Sequence, residues 1–429
     1  MSKGWRNNLI LAAVVALAGG GLWLLDSREK AKEEADKQAR LLSTLKADAI
    51  RAVEFQDGAG TQLTLTKEGE GKWQITAPTK LRTQTSAVQG LLDLMQKNYE
   101  KKVAESWTDP VPYGLATPAA RMQLTDGSGG KALFLIGGAA PANAQKRYVS
   151  LGEKGPVVLM AQSDLSRVMQ RAEDLRDKRL AMTNSQDLTR IRLIQSPGQE
   201  LAIQKDKEGG WHLETPFQDQ ADPNRISAWI FALTGTQGTA FQPVTGPVAS
   251  KSGEKPEEWR VELTPTQGDP ETIIIQRLGE ELVSQRPGEP DRMVLPKYLA
   301  EELNKNALEL VAMRPVSARN GLEALRLEMA GKTLHAEKQA GKWPKNEWGE
   351  IEEMLMRDAH RGVARLTSAT PWVTVTHGTG DQARTLTLHQ VEKSLIVSPP
   401  DRPVSLELTP LQAETLQKAI TALLAPPST

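Results

Sequence analysis

Cysteine is absent from this chain of 429 residues, and the formal net charge is zero at neutral pH. Without cysteine the protein forms no disulfide, has no thiolate nucleophile and binds no zinc ion or iron–sulfur cluster through sulfur. The 53 basic residues are balanced by 53 acidic ones, so no global field attracts nucleic acid or anionic lipid. An apolar content of 39 % and a charged content of 25 % are typical of a folded body.

Sequence motifs that carry chemistry are missing as well. The five histidines form no His-x-x-x-His or His-Glu-x-x-His pattern, no glycine-rich loop has the lysine and helix of a phosphate loop, and no Gly-x-Ser-x-Gly elbow occurs. His377 and His389 flank a predicted hairpin and could meet across it, but no third ligand lies nearby in sequence. Basic clusters are interleaved with acids and lack aromatic neighbours, so we expect no nucleic-acid binding. We predict that the chain is not an enzyme and has no cofactor and no metal site.

A long apolar run near the N-terminus predicts a membrane anchor. No charged residue lies between Arg6 and Asp26. The run Leu9–Leu25 just reaches the length of about 17 residues that a transmembrane helix needs. Trp5 and Trp23 lie near its two ends, where indole rings favour the lipid–water boundary. We therefore expect the chain to cross the bacterial inner membrane once.

Two alternatives concern this run. Ala16-Leu17-Ala18 has the form of a signal-peptide cleavage site, so a removable signal peptide is the alternative to an anchor. Basic residues follow the run as well as precede it, and a plain count of them would place the body in the cytoplasm. Acidic residues are interleaved among them, and a short basic N-terminus before an apolar run is the usual start of an exported protein. We favour an uncleaved anchor with the body in the periplasm.

A polar segment separates the predicted anchor from the rest of the chain. Residues 1–25 are predicted to be the cytoplasmic N-tail and transmembrane anchor, and residues 26–46 a helical stalk. The second segment is rich in Ala, Glu, Lys, Gln and Arg, which are strong helix formers. It is polar on nearly all sides, which indicates a solvated helix.

Three Gly-x-Trp motifs recur at nearly equal spacing and organise the remaining sequence. They are Gly71-Lys72-Trp73, Gly209-Gly210-Trp211 and Gly341-Lys342-Trp343. Around each motif, strand-like alternation precedes the glycine, a helical pattern follows, and several short strands and a closing helix come last. We predict three modules, at residues 47–183, 184–316 and 317–429, of which the third is divergent.

The strand and helix patterns are clearest in the first module. Its predicted strands are Ile50–Phe55, Leu63–Thr66, Trp73–Ile75, Met122–Leu124, Ala132–Ile136, Tyr148–Val149 and Val157–Leu159. Its predicted helices are Thr83–Tyr99 and Ser163–Leu175. In the second module, Asp222 as N-cap and Pro223 at the first helical position start a helix, and Tyr298–Leu310 is the closing helix. In the third module, Leu411–Leu424 closes the chain.

These patterns predict an α+β fold of three tandem, mainly antiparallel modules behind the transmembrane helix and stalk. Regular alternation of long helices and strands is missing, so a doubly wound parallel sheet is not expected. Joined end to end, the modules should make an elongated arrangement. The motif tryptophans could serve as ligand platforms, but a large side chain at equivalent positions more often fills equivalent cores.

Several phrases of the sequence resemble a known bacterial family. They are Trp73-x-Ile75-x-x-Pro78, Tyr113-Gly114-Leu115, Leu135-Ile136-Gly137, Arg147-Tyr148-Val149 and the run from Leu175 through Arg179 to Leu180, with Trp211, Pro216 and Arg314 in the second module and Trp343 in the third. The chain is similar to domain-of-unknown-function family 4340, a repeat family associated with GldG-type and ABC-2-type, gliding-motility-like transporters. The resemblance covers residues 47–181 and 186–315 well and residues 320–425 weakly. The second module lacks a Tyr-Gly-Leu match.

The resemblance implies a single-pass inner-membrane protein with a periplasmic body. Its implied partners are an ABC-2-type permease and ATPase and a GldG-like membrane protein, and the family has no assigned catalytic residues. We therefore expect an accessory or scaffold subunit of an envelope transporter that acts through protein or cargo contacts. The alternative is an independent periplasmic binding module for lipid, glycan or peptidoglycan, which would need an apolar groove or an exposed sheet edge.

Overall fold

The computed structural model describes residues 45–69, 71–94, 97–195, 198–244, 257–317 and 321–425. The predicted anchor at residues 9–25 lies outside them, as does the predicted stalk except for residues 45 and 46, which are not helical. Within the described residues, no helix is both long enough and apolar enough to span a bilayer. The chain divides into two compact units, residues 1–178 and residues 179–429.

The first unit is built on one antiparallel sheet. Its strands are β1 (Ile50–Asp57), β2 (Gln62–Glu68), β3 (Lys72–Ala77), β4 (Leu81–Arg82), β5 (Lys101–Ala104), β6 (Ala120–Asp126), β7 (Lys131–Ala140), β8 (Asn143–Leu151) and β9 (Val157–Ala161). Helices α1 (Thr85–Asp93) and α2 (Gln162–Leu165) and the 3-10 turns Ala47–Ala49, Val111–Tyr113 and Ala172–Leu175 complete it. The strand order is β4-β3-β2-β1-β6-β7-β8-β9-β5.

The alternation of β1 explains why one face of this sheet is covered. Val53 and Phe55 point to the same face and are 0 % and 1 % exposed. Helix α1 buries Val88, Leu91 and Leu92 in the same apolar cluster. Apolar residues three and four positions apart lie on one side of a helix, so α1 covers this face of the sheet.

The second unit begins with a sheet of the same kind. Its strands are β10 (Leu188–Gln195), β11 (Gln199–Lys205), β12 (Trp211–Thr215), β13 (Asp219–Gln220), β14 (Ala240–Pro243), β15 (Glu258–Pro265), β16 (Glu271–Leu278), β17 (Glu281–Gln285) and β18 (Asp291–Leu295). Its helices are α3 (Pro223–Gly235), α4 (Leu299–Leu303) and α5 (Ala307–Leu310), and a 3-10 turn spans Ser185–Asp187. The order is β13-β12-β11-β10-β15-β16-β17-β18-β14, which repeats the first sheet position by position.

A third and shorter sheet follows in the same unit. Its strands are β19 (Ala324–Met329), β20 (Lys332–Glu337), β21 (Arg361–Ala364), β22 (Val373–His377), β23 (Arg384–Val391), β24 (Ser394–Ser398) and β25 (Val404–Glu407). Helices α6 (Asn346–Met356) and α7 (Pro410–Leu424) and the 3-10 turn Gly380–Gln382 accompany it. The order β20-β19-β22-β23-β24-β25-β21 corresponds to that of the first sheet without the counterparts of β3, the strand that contains Trp73, and β4.

The missing strands have a local cause in the sequence. Trp343 is followed directly by Pro344, which has no backbone N–H and is excluded from the interior of a sheet. In place of these two strands, the described residues that follow β20 form an isolated β-bridge between Gln339 and Lys342. β20 is consequently an edge strand of this sheet. The divergence of the third module, visible in the sequence, is a loss of two strands.

The second and third sheets share one apolar core, to which both contribute fully buried side chains. The segment between them is held from both sides. Ala312 donates its backbone N–H to the carbonyl of Gln220 on β13 at 2.8 Å. Val316 donates to Leu355 at the end of α6, at 3.1 Å. This segment therefore joins the two sheets.

Some predicted elements are wrong in extent. The helix predicted at Thr83–Tyr99 ends near Leu94. The closing helix predicted at Ser163–Leu175 is broken into α2 and a 3-10 turn, and the one predicted at Tyr298–Leu310 into α4 and α5. Asp222 does cap α3, accepting from the N–H groups of the second and third helical residues. The mostly antiparallel α+β fold is confirmed.

Three of the five family-like phrases of the first module meet at one place in the structure. The 3-10 turn before Gly114 packs against a bulge of β7 at Gly137 and Gly138. Arg147 donates to the carbonyl of Gly137 at 2.8 Å. The Tyr113 ring meets Tyr148 edge-on, with centroids 5.3 Å apart. Leu115 joins Leu135 and Val157 in a small apolar cluster separate from the main core of this unit.

Close backbone packing explains why glycine stands at position 114. Its φ is +64°, and a Cβ there would lie 2.5 Å from the backbone nitrogen of Gly138. Gly69 has a comparable φ of +54°, but a Cβ there meets nothing within 4 Å. The two glycines thus share the left-handed conformation and differ in the space around them.

We expect Gly114→Ala to destabilise the first unit much more than Gly69→Ala. Both changes strain the left-handed conformation by about 1–2 kcal/mol, but only the first pushes backbone against backbone. Amide hydrogen exchange of β7 and of residues 111–118 should be faster in the first variant. Equal effects of the two substitutions would show that the close approach does not matter.

A buried carboxylate stabilises the third sheet where its two strands are missing. Glu352 on α6 accepts from Leu322 N at 2.6 Å, from Lys338 Nζ at 2.9 Å and from Trp343 Nε1 at 2.6 Å. The side chains of Glu352 and Lys338 are 14 % and 12 % exposed. Burial raises the pKa of Glu352, but the three hydrogen bonds outweigh it, so the net pKa lies below its ordinary value of 4.5.

Glu352→Ala should destabilise the third sheet by about 3–5 kcal/mol, because it leaves the Lys338 ammonium buried without its partner. The matched control is Glu353→Ala, which removes an exposed pair with Arg357 and should cost under about 1 kcal/mol. Amide exchange of residues 321–345 reads the difference. Since the folded pKa is lowered, the contribution of Glu352 is complete above pH 4.5 and is lost as the pH falls through the folded pKa. A gap between wild type and variant that stays constant down to about pH 3 would contradict this account.

Candidate binding cleft

The motif tryptophans lie at the start of their repeats and pack on apolar side chains. Trp73 is 6 % exposed, whereas Trp211 and Trp343 are half-buried against the shared core. Lys205 Nζ lies 5.1 Å from the ring centre of Trp211, and Lys338 Nζ lies 5.2 Å from that of Trp343. The rings of Trp211 and Trp343 therefore combine packing with a cation–π contact.

The other predicted landmarks also occupy equivalent positions. Pro78 and Pro216 both follow a cis peptide bond directly after the strand that begins near the tryptophan. Arg179 and Arg314 each follow the end of a repeat, and each has a backbone carbonyl that accepts from an arginine of the next sheet. Arg286 donates to the Arg179 carbonyl, and Arg402 donates to the Arg314 carbonyl at 3.4 Å.

One cleft lies in the second unit, between the second and third sheets. Its volume is about 850 Å³, which is within the range of small-molecule sites. Its walls come from the β11–β12 hairpin, β13, the segment that joins the sheets, the β22–β23 hairpin and the loop before β25. Its charged and titratable lining residues are Lys205, Asp206, Lys207, His212, Glu214, Asp219, Arg314, His377, Arg384, Asp401 and Arg402.

The first wall is shaped by Asp206 in the β11–β12 turn. Its carboxylate accepts from the backbone of Glu208 at 2.9 Å and of Gly210 at 2.8 Å, and lies 2.6 Å from His212 Nε2. The hydrogen bond with His212, followed by that with the Gly210 N–H, lowers the pKa of Asp206. Asp206 is therefore ionised and fully occupied by its own hairpin.

The second wall carries His377 and Arg384, which face each other at the end of the β22–β23 hairpin. Burial lowers the pKa of His377, and the nearby Arg384 lowers it further. The imidazole is therefore uncharged at neutral pH. Arg384 Nε lies 3.5 Å from Asp401 Oδ2, in an exposed ion pair.

A buried ion pair joins the two sheets at the base of the cleft. Arg402 donates from Nε to Asp219 Oδ1 at 2.9 Å and from Nη2 to Asp219 Oδ2 at 3.0 Å. The same guanidinium donates to the carbonyls of Ala312 at 2.8 Å and Arg314 at 3.4 Å. The Asp219 side chain is 3 % exposed and that of Arg402 is 14 % exposed. A paired, fork-like contact of this kind fixes orientation as well as distance.

A second arginine holds the loop that presents Arg402. Arg365 donates to the carbonyl of Pro399 at 2.6 Å and also to the carbonyl of Arg402. The loop backbone is thus fixed from within the third sheet, while the Arg402 side chain reaches the second sheet. These two hydrogen bonds hold the loop in place relative to the third sheet.

His377 and His389 do not meet, because His377 pairs with Arg384 at one end of β23 and His389 pairs with Ile396 near its other end. His389 is 4 % exposed and bonds Thr387 Oγ1 at 2.9 Å. Within the described ranges, no group of three potential metal ligands is present.

Sequence reasoning did not find the cleft. Asp219 and Arg402 are separated by 183 positions, and neither belongs to a periodic pattern or a motif. Of the predicted landmarks, only Arg314 lines the cleft. The other predicted landmarks are structural.

The comparisons with known proteins identify a family but not an activity. The family model described as "Domain of unknown function (DUF4340)" matches residues 73–255, so the predicted resemblance to this family is confirmed over that range. No curated protein matches the chain. Among solved structures, the DNA polymerase III subunit beta from Borrelia burgdorferi, in complex with a natural product, aligns at 6 % identity with a TM-score of 0.14. That alignment covers 89 % of this chain and 97 % of that chain, and its TM-score is too low to indicate a shared fold.

Replacing Arg402 by Ala should cost about 3–5 kcal/mol, because it leaves the Asp219 carboxylate buried without a cation. We expect faster amide exchange in β13 and in residues 311–316. The double change Asp219→Ala with Arg402→Ala should be less costly than the sum of the single changes, since neither charge is then orphaned. Arg314→Ala is the matched control, because its pair with Asp358 is exposed. Additive single and double effects would mean that the pair does not join the sheets.

Proposed function

We propose that the chain is a membrane-anchored accessory subunit of an ABC-2-type envelope transporter, and that it binds partner proteins or cargo without catalysis. The observation that carries the proposal is the family match over residues 73–255, since this family is the one whose resemblance implies such transporters. The proposed partners are the permease, its ATPase and a GldG-like membrane protein. The energy for transport would come from the partner ATPase, because the sequence has no phosphate loop.

The apolar run at residues 9–25 supports the proposed location. It has the length of a single membrane-spanning helix and short basic flanks, and it would place the body in the periplasm of a bacterial cell. The polar stretch 26–46 would hold the body away from the bilayer as a stalk. The three modules would follow in an elongated arrangement.

The repeated sheets support a scaffold role. Repeating one fold along a chain multiplies surfaces of similar shape, which suits a protein that contacts several partners. The landmarks of each repeat are used for packing, so the exposed surface is left available for contacts.

A specific observation also favours the second candidate, an independent periplasmic binding module. The cleft between the second and third sheets has the size of a ligand site. No Trp, Tyr or Phe is among its described lining residues, so the stacking surface that glycans use is missing there. A small polar or charged ligand fits this cleft better than a glycan chain or a lipid tail.

Purification of the tagged full chain from membranes in mild detergent tests the transporter role. We expect an ABC permease and its ATPase to copurify. A variant with Val14→Arg and Leu17→Arg should leave the membrane fraction and lose both partners, because each arginine at the centre of a helix opposes insertion by about 2.5–3.5 kcal/mol. The matched control, Val14→Leu with Leu17→Ile, keeps the run apolar and should retain them. Recovery of the intact-anchor chain alone would reject the accessory-subunit proposal.

A further inference from the structure

The acidic side chains around the cleft are paired within the protein, whereas two of the lysines are not. This imbalance points to a ligand. Each lining carboxylate already has a partner within the protein. Asp219 pairs with Arg402, Asp401 with Arg384, and Asp206 with His212 and its own turn. The remaining acid, Glu214, pairs with Arg190 at 2.8 Å. A cationic ligand would therefore have to displace an existing contact.

The basic side chains are in the opposite situation. Lys205 and Lys207 line the same wall, and neither makes an ion pair with any residue that the structure describes. Lys205 is held over the Trp211 ring, which orders its ammonium without neutralising it. Across the cleft, the Arg384 side chain forms an ion pair with the exposed Asp401, a contact of small energetic value, and donates from Nη1 to the backbone carbonyls of Asp381 at 3.1 Å and Ala383 at 3.0 Å. The cleft consequently has an excess of positive charge, contributed by both sheets.

The rest of the lining defines the shape of what would bind. Pro315, Val316, Pro399 and Pro400 give the base a short apolar surface with restricted backbone. His377 is uncharged at neutral pH, and its imidazole has no hydrogen-bond partner among the described residues. A ring nitrogen is therefore available to a ligand. A volume of about 850 Å³ holds a small organic molecule.

We propose that this cleft is a binding site for a small organic anion, whose carboxylate or phosphate group lies between Lys205 and Lys207 on one sheet and Arg384 on the other. The apolar part of the ligand rests on the proline-rich base. Lysine ammonium groups and the arginine guanidinium bind such groups through charge-assisted hydrogen bonds. This proposal is independent of the transporter role, so it is tested separately from the copurification of a permease.

Isothermal titration of the purified full chain tests the site with defined probes. The probes are citrate as a carboxylate, glycerol 3-phosphate as a phosphate ester, and dihexanoyl phosphatidylglycerol below its micelle concentration, with glycerol as the neutral comparator. We expect saturable binding of at least one anion and none of glycerol. Tighter binding of the acylated probe than of glycerol 3-phosphate would assign the anion to a lipid headgroup, and the reverse order to a soluble metabolite.

The decisive variant is Lys205→Gln with Lys207→Gln, which keeps both side chains polar and unbranched up to Cδ and removes both ammonium groups. Binding should weaken by about tenfold or more, as expected for losing charge-assisted hydrogen bonds. The matched control is Lys332→Gln with Lys393→Gln, two exposed lysines on the third sheet outside the cleft, and it should leave binding unchanged. Equal weakening in both variants, binding of glycerol as tight as that of the anions, or no saturable binding of any anion would overturn the proposal.

Discussion

Each sheet depends on one central pairing between strands that are not consecutive in the chain. β1 pairs with β6, β10 with β15, and β19 with β22, all antiparallel. The other pairings join consecutive strands, except at one edge of each sheet, where β5 pairs with β9, β14 with β18 and β21 with β25. The central pairs therefore connect two otherwise separate groups of strands. Isolated hairpins are marginal in water, whereas a sheet with one covered face is stable. The helix that follows the early strands carries the chain to the far edge and covers the buried face of the central pair.

Features that depend on neighbouring residues could be predicted from the sequence, whereas those that depend on packing between distant residues could not. Alternating apolar residues and the glycine turns located most strands, and Asp222 with Pro223 located the start of α3, because these signals lie within a few residues of one another. The closing helices failed for a physical reason. Leu165, Val168, Ala172 and Leu175 have helical spacing and are all buried, but two short turns bury them as well as a helix would. The short β4 and β13 are too brief to show a period of two.

The cleft shows more clearly what could not be predicted from the sequence. Asp219 occupies the position at which the first repeat has Leu81, since both pair with the residue two positions after the motif tryptophan. A leucine in one repeat and a carboxylate in the next look like ordinary variation until the arginine from the third sheet is placed beside it. Charged residues in loops carry no periodicity, so their meeting is decided by how the sheets pack. The family phrases of the first module could be read from the sequence, but the common position of three of them around the β7 bulge could not.

The shortened third sheet has a consequence for self-association. Its outermost strand, β20, exposes Lys332, His335 and Glu337 along the side where the other repeats add two more strands. An uncovered edge of backbone N–H and C=O groups is a template for another chain, and charged side chains along it are a common protection against such templating. At this edge the third sheet is therefore protected by charge rather than by a covering strand.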